Sequence, residues 1–367
     1  MQGWQYAYKE RLVYWYERYE RRVSLLAFLT GFIVDNLTLT RIDLPFDNLV
    51  LLFHLSVVSL GILIVNLYDS GVWQGKFVSY LRPFAPFLIQ FSFGGLFSGF
   101  FVFYTRSASW ASSWLFLLVL GGLLIGNEFL RNRYLELNFH MSILFLGLFS
   151  YMIFIVPVLV GKMGGGVFLL SGIFSLLFIL GFIYILQCLI PARISGAKQL
   201  LVKSIGGIFV AMNVLYFFNI IPPIPLSLKE AGVYHGVTHT PGGEYRADLE
   251  RRSWWDRFET YPVIHIVRGQ PVYVFTAVFA PTRLTTNIAH RWEYYNEDKN
   301  EWIVTSRIEF PVRGGRDEGY RGYSVKTNIT PGFWRVYVET PRGQVLGRVQ
   351  FRVEEVSASP PLENKTI

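Results

Sequence analysis

Apolar residues dominate positions 23–221 in long runs, and the pattern changes to an alternation of period two after Pro222-Pro223-Ile224-Pro225. The runs over 23–44, 47–67, 83–104, 110–130, 138–160, 166–187 and 200–221 carry few charges. Each is about twenty residues, enough to cross hydrocarbon as a helix. A helix is also the conformation in which a lone span satisfies its own backbone there. About seven transmembrane helices are therefore predicted. The prolines end the last one, because they lack backbone donors and force their predecessors extended. This exit is semi-rigid and holds the C-terminal half close to the bilayer. Beyond it, 271–280, 287–295, 302–312 and 322–329 read as strands. The strongest pair places Trp334, Val336 and Val338 on one face and Arg335, Tyr337 and Glu339 on the other. It turns through Pro341-Arg342-Gly343 and returns with Val349, Phe351 and Val353 facing the first set. About seven short strands at this spacing suggest an all-β, immunoglobulin-like sandwich.

The expected organisation is thus a juxtamembrane amphipathic segment (1–22), an α-helical polytopic bundle (23–225), a β-sandwich domain (226–356) and a disordered tail (357–367). The first segment mixes Trp and Tyr with Arg and Glu. It reads as an interfacial helix against anionic lipid or as a docking helix for a cytoplasmic partner. Its charged start predicts no cleavable signal peptide.

Charge sharpens this picture. Residues 1–225 hold 15 Lys and Arg against 9 Asp and Glu, while 226–367 hold 19 against 17. The basic excess lies beside the membrane, where it acts as an orientation signal rather than a nucleic-acid footprint. Twelve cations (Lys9, Arg11, Arg18, Arg21, Arg22, Lys76, Arg82, Arg131, Arg133, Arg193, Lys198 and Lys203) fall on one side, against three (Arg41, Arg106 and Lys162) on the other. With an odd number of spans, the N-terminus faces the cytoplasm and the β domain lies outside the inner membrane. That side follows from the parity of the span count. The single cysteine, Cys188, excludes an intrachain disulfide and any Cys-based metal site.

Polar groups inside spans are candidates for function because they are costly there. Asp35 falls near mid-bilayer, followed by Asn36, with His54, Gln90 and Asn213 at comparable depths on other spans. Together they would form a proton relay or a small polar site, or a hydrogen-bonded cluster that fixes helix packing. Arg41, Asp43 and Arg106 sit at the outer ends, as a salt-bridged cap or as headgroup contacts. The pairs Gly95/Gly99, Gly122/Gly126 and Ser171/Ser175 have the spacing of close helix packing. In the β half, Arg291, Trp292, Arg307 and Trp334 form a candidate recognition surface. Strand tryptophans at inward positions are more often core residues, and nearby Glu293 and Glu309 make the arginines a mixed, solvated surface. No HExxH, P-loop, GxSxG or Cys/His zinc pattern occurs, so no cofactor is expected.

His290-Arg291-Trp292, Thr305-Ser306-Arg307, Pro331-Gly332-Phe333-Trp334-Arg335-Val336 and Gly343-Gln344-Val345-Leu346-Gly347-Arg348 together resemble the bacterial family DUF2914. The membrane half, through Thr30-Gly31-Phe32, Asp35, Leu39-Thr40-Arg41-Ile42-Asp43 and the proline exit, looks like the multi-spanning part that accompanies this domain. The resemblance implies a bacterial membrane protein and supplies no activity. The functional expectation is a non-enzymatic envelope anchor whose outer β domain binds a protein or a surface polysaccharide, with no nucleic-acid partner. A transporter or channel using Asp35 and His54 is one alternative. A membrane enzyme acting on a lipid-linked substrate through Arg41, Asp43 and Arg106 is another.

Overall fold

The computed structural model describes residues 30–41, 43–82, 84–107, 110–129, 136–241, 244–251, 260–281, 284–315 and 318–367. The juxtamembrane segment and the start of the first span lie outside them. Helices come first: α1 (30–38), α2 (Pro45–Asp69), α3 (Lys76–Leu81), α4 (Ala85–Ser107), α5 (Trp110–Phe129), α6 (Leu137–Val160), α7 (Gly165–Leu189) and α8 (Pro191–Phe217). Among the described residues α2, α4, α6, α7 and α8 are long and apolar enough to cross a membrane, and α5 holds a shorter apolar stretch, Ser113–Ile125. Proline opens α2 and α8, where its missing N–H would have no helical partner in any case.

The chain packs as two compact units. The first runs through Phe103 and adds Leu120–Gly147 and Phe182–Leu201; the second holds Tyr104–Val119, Leu148–Gly181 and Val202–Ile367. In the first, α2 buries Leu51, Leu55, Val58, Ile62 and Val65, a stripe at helical spacing. Gly95 and Gly99 of α4 let α2 come close. A Cβ at Gly95 would stand 2.6 Å from the His54 ring, and one at Gly99 2.9 Å from Leu51. Gly122 has open space instead, so it serves no close approach in the described residues. Outward-facing Leu52, Phe53 and Leu60 on α2 are exposed, as are Leu177, Phe178 and Leu180 on α7. Apolar surface on that scale is stable against lipid and costly in water.

In the second unit the proline exit leads into strands β1 (Ser227–Tyr234), β2 (Gly236–His239), β3 (Tyr245–Glu250), β4 (Val263–Ile266), β5 (Val272–Phe279), β6 (Thr285–Asn296), β7 (Glu301–Arg313), β8 (Tyr320–Lys326), β9 (Gly332–Glu339), β10 (Val345–Glu355) and β11 (Leu362–Thr366). They form three sheets ordered β1-β5-β8, β4-β10-β9-β6-β7 and β11-β3-β2. The first two close on one core of Val233, Val272, Val274, Trp292, Trp334, Val336, Phe351 and Val353. Across it runs a polar chain. His290 lies between Thr276 Oγ1 (3.0 Å) and Ser324 Oγ (2.8 Å), and Trp292 Nε1 donates to Ser324 Oγ (3.0 Å). The predicted β9–β10 hairpin forms as expected, with Val349 opposite Val336 and Phe351 opposite Trp334, and Gly343 supplies the turn with φ +82°.

Two expectations are corrected. The strands exceed seven, because β1 to β4 and β11 lack a marked alternation. The tail is ordered: β11 pairs antiparallel with β3, and Ile367 is buried beside Tyr234, Val237, Ala247 and Phe275. The ladder and one apolar contact hold it where composition alone suggested a free end.

Still within this unit, the β9–β10 turn meets the helix ends. Arg342 lies over the rings of Tyr216 (4.5 Å) and Phe217 (5.1 Å). Asn219 Nδ2 donates to the Arg342 carbonyl (3.2 Å), and Gln344 Nε2 donates to the Ile221 carbonyl (3.3 Å). Gly165 leaves room for the guanidinium, since a Cβ there would stand 2.9 Å from Arg342 Nη1. Thr285 N–H donates to the Gly161 carbonyl (3.3 Å), and Met163 packs against the core cluster that includes Leu226, Val278 and Leu346. A small apolar recess beside this joint is lined by Ile153, Pro157, Phe168, Tyr216, Pro222 and Gln344.

Candidate functional site

Alternation along β6, β7, β9 and β10 sends one set of side chains into the core and the other onto the outer face of the five-stranded sheet. Register then decides which outer residues meet. Arg291 stands opposite Arg307 on β7 and opposite Tyr337 on β9, and Tyr337 stands opposite Arg348 on β10. One row across four strands therefore reads Arg348, Tyr337, Arg291, Arg307. On one side of it, Arg335 stands opposite Glu293; on the other, Glu339 stands opposite Ala289.

The charges of these rows interlock. Glu293 accepts from Arg335 Nε (2.5 Å) and pairs with Arg291. Glu339 accepts from Arg291 Nε (2.9 Å) and Arg307 Nε (3.0 Å). The two carboxylates are only 4% and 5% exposed, while Arg291, Arg307 and Arg335 are 26%, 34% and 19% exposed. Rings back the guanidiniums: Arg291 lies 4.5 Å from Tyr337, Arg335 4.0 Å from Trp302 and Arg348 5.8 Å from Tyr337. Glu293 and Glu339 are thus covered, whereas Glu309, which pairs with Arg307 at the β7 end of the row, is 41% exposed. Arg335 has its pKa held below the ordinary arginine value, first by burial. Arg348 and Arg291 add repulsion, against the opposing influence of Tyr337 and Tyr261.

The four-residue recognition surface read from the sequence therefore divides. Arg291 and Arg307 lie in the outer row. Trp292 and Trp334 are 0% and 2% exposed in the core, because their strand parity points them at the opposite sheet. Arg335, Tyr337 and Arg348, which complete the face, carry the same alternation and were legible as outward positions without being singled out.

The membrane candidates divide as well. Asp35 of α1, His54 of α2 and Ser98 of α4 are neighbours, while Asn36 is exposed and Gln90 half-buried. Asn213 belongs to the other unit, where its Nδ2 donates to Phe209 of its own helix (2.8 Å). Arg41 and Asp43 form a two-bond pair (3.0 and 2.6 Å), and Asp47 accepts the N–H groups of Thr40 and Arg41 (both 2.8 Å). Both contacts lie in the connection between α1 and α2. Arg106 falls in the other unit and does not belong to that pair's packing unit.

One constellation had no sequence signal. Glu250, at the end of β3, accepts from His265 N–H (2.7 Å), and its oxygens lie 2.8 Å from His265 Nδ1 and from His235 Nε2. Burial pushes its pKa up, and these bonds together outweigh that and hold it below the ordinary carboxylate value. The three residues are separated by loops, so only the fold unites them. Among the described residues, no group of three or more His, Cys, Asp or Glu is disposed to hold a metal ion.

No curated protein matches the sequence. Among solved structures, a beta-glucosidase from Listeria innocua in complex with gluconolactone is similar at 9% identity over 32% of this chain and 17% of that one, with a TM-score of 0.19. The Pseudomonas fluorescens alkylpurine DNA glycosylase AlkC bound to DNA containing an abasic site analog is similar at 9% identity over 86% of this chain and 99% of that one, with a TM-score of 0.22. Likenesses of this size carry no assignment. Residues 285–353, which include the whole arginine row, match the family model DUF2914, described as a protein of unknown function.

Proposed function

We propose that the protein is a seven-spanning protein of the bacterial inner membrane, with its N-terminus inside, that acts as a non-enzymatic anchor. Its extracytoplasmic, immunoglobulin-like β domain binds a protein or a surface polymer of the envelope. The observation that carries this reading is the joint at Arg342, Gln344 and Asn219. It fixes the β9–β10 turn to the ends of α7 and α8, so the domain is presented on a firm base rather than on a tether. The exposed apolar helix faces and the loop charges support the bilayer placement. The test is Ser359→Cys in a Cys188→Ser background. A membrane-impermeant maleimide should label spheroplasts without permeabilisation, and labelling that needs permeabilisation removes the reading.

A second reading is a proton-coupled transporter, favoured by the meeting of Asp35, His54 and Ser98 from three helices. It requires a proton- or ion-dependent flux through reconstituted protein, and unchanged flux in Asp35→Asn eliminates it.

A further inference from the structure

The arginine row invites a specific kind of ligand. Neighbouring strands stand about 4.8 Å apart, so a row that crosses three gaps extends about 14 Å. Arg307 lies on the edge strand β7, and the other three residues of the row, Arg348, Tyr337 and Arg291, lie on β10, β9 and β6, which each have strand partners on both sides. An extended peptide would find no free ladder there, since strand addition needs an edge. Glu293 and Glu339 lie beneath the guanidiniums at 4% and 5% exposure, and the exposed carboxylate, Glu309, stands at the β7 end beside Arg307, so the Arg348–Tyr337–Arg291 part of the row is the part open to an anion. Arg348 is exposed and, among the described residues, makes one long hydrogen bond, to Tyr337 Oη (3.4 Å), and no ion pair. Arg352, also on β10 and outside the row, is 50% exposed, stacks on Phe333 (5.5 Å) and pairs with Glu354 (3.5 Å).

Resting on the reading of the β domain as a recognition module, we infer that the row Arg348–Tyr337–Arg291–Arg307 binds an anionic glycan laid across the strands. Its acidic groups meet the outward guanidiniums, and a sugar face rests against Tyr337, the ring that stands between Arg348 and Arg291. The buried glutamates fix those guanidiniums in place before any ligand arrives, which removes part of the ordering cost of binding. An anion above the row also relieves the repulsion among Arg335, Arg348 and Arg291.

The test uses the full chain in nanodiscs of zwitterionic lipid. Its probes are alginate as an acidic glycan, dextran as a neutral one and poly-glutamate as an acidic peptide. Alginate should bind and dextran should not. Arg348→Ala should weaken alginate binding about fivefold or more, and Arg352→Ala should weaken it in the same direction. Arg251→Ala, whose side chain is 85% exposed and paired with Glu363 on the third sheet, should leave it unchanged. Both β10 variants remove exposed side chains that pair with neither Glu293 nor Glu339, and an unchanged melting temperature confirms that they fold. Equal binding of alginate and dextran, binding of poly-glutamate as tight as that of alginate, or unaltered binding by both β10 variants overturns the inference. Maleimide labelling fails or succeeds independently. A domain on the cytoplasmic side sinks the envelope reading whatever alginate does, and an outward domain indifferent to alginate sinks only the glycan.

Discussion

Arg342 and Arg348 belong to one hairpin and meet opposite surroundings: the first is wedged against Tyr216 and Phe217, the second stands in the open. Residue type decided neither fate; position in the turn or on the outer face did. His290 shows the same at the core. Burial pushes its pKa down to about 4, so the folded state keeps the ring neutral. An unfolded imidazole takes a proton near pH 6.5. Above that pH both states are neutral and the His290 contribution is fully present. As pH falls from about 6.5 towards 4 the unfolded state gains a proton that the folded state refuses, and stability declines by about 3 kcal/mol in total. Urea midpoints of the detergent-solubilised protein should fall between about pH 6.5 and pH 5, and His290→Asn should flatten that slope. Equal slopes in both proteins would assign the acid sensitivity elsewhere.

The elements differ in how openly the sequence announces them. The β9–β10 hairpin was readable because Trp334, Val336 and Val338 alternate with Arg335, Tyr337 and Glu339 around a Pro-Arg-Gly turn. β3 (YRADLE) and β11 (LENKT) have no such face; β11 is exposed at every position. Their order comes from backbone pairing across distant segments, to which composition is blind. Removing 360–367 should therefore strip β3 of one partner and uncover Ala247 and Phe275. A loss of about 1–3 kcal/mol is expected, seen as faster hydrogen exchange confined to β2 and β3. Unchanged exchange there would mean that β11 contributes nothing to the third sheet.

For the molecule as a whole, the division into apolar helices and strands was legible at Pro222–Pro225, where composition changes abruptly. The joint was not, because Asn219 and Arg342 are 123 positions apart and neither carries a motif. The five-residue polar site read into the spans was legible only as a list of depths; helix rotation then brought Asp35 to His54 and left Asn213 with its own helix. An anchor and a transporter predict opposite phenotypes. Deletion of 230–367 should abolish envelope function while Asp35→Asn is mild; the reverse pattern in a complementation assay would favour the helices as the working part. The covered glutamates carry one more consequence. At physiological ionic strength the screening length is about 8 Å, so mobile ions weaken the pull of an exposed cation on a ligand but hardly reach Glu293 and Glu339 beneath their arginines. Salt would then change how often this face is occupied and leave its shape as it was.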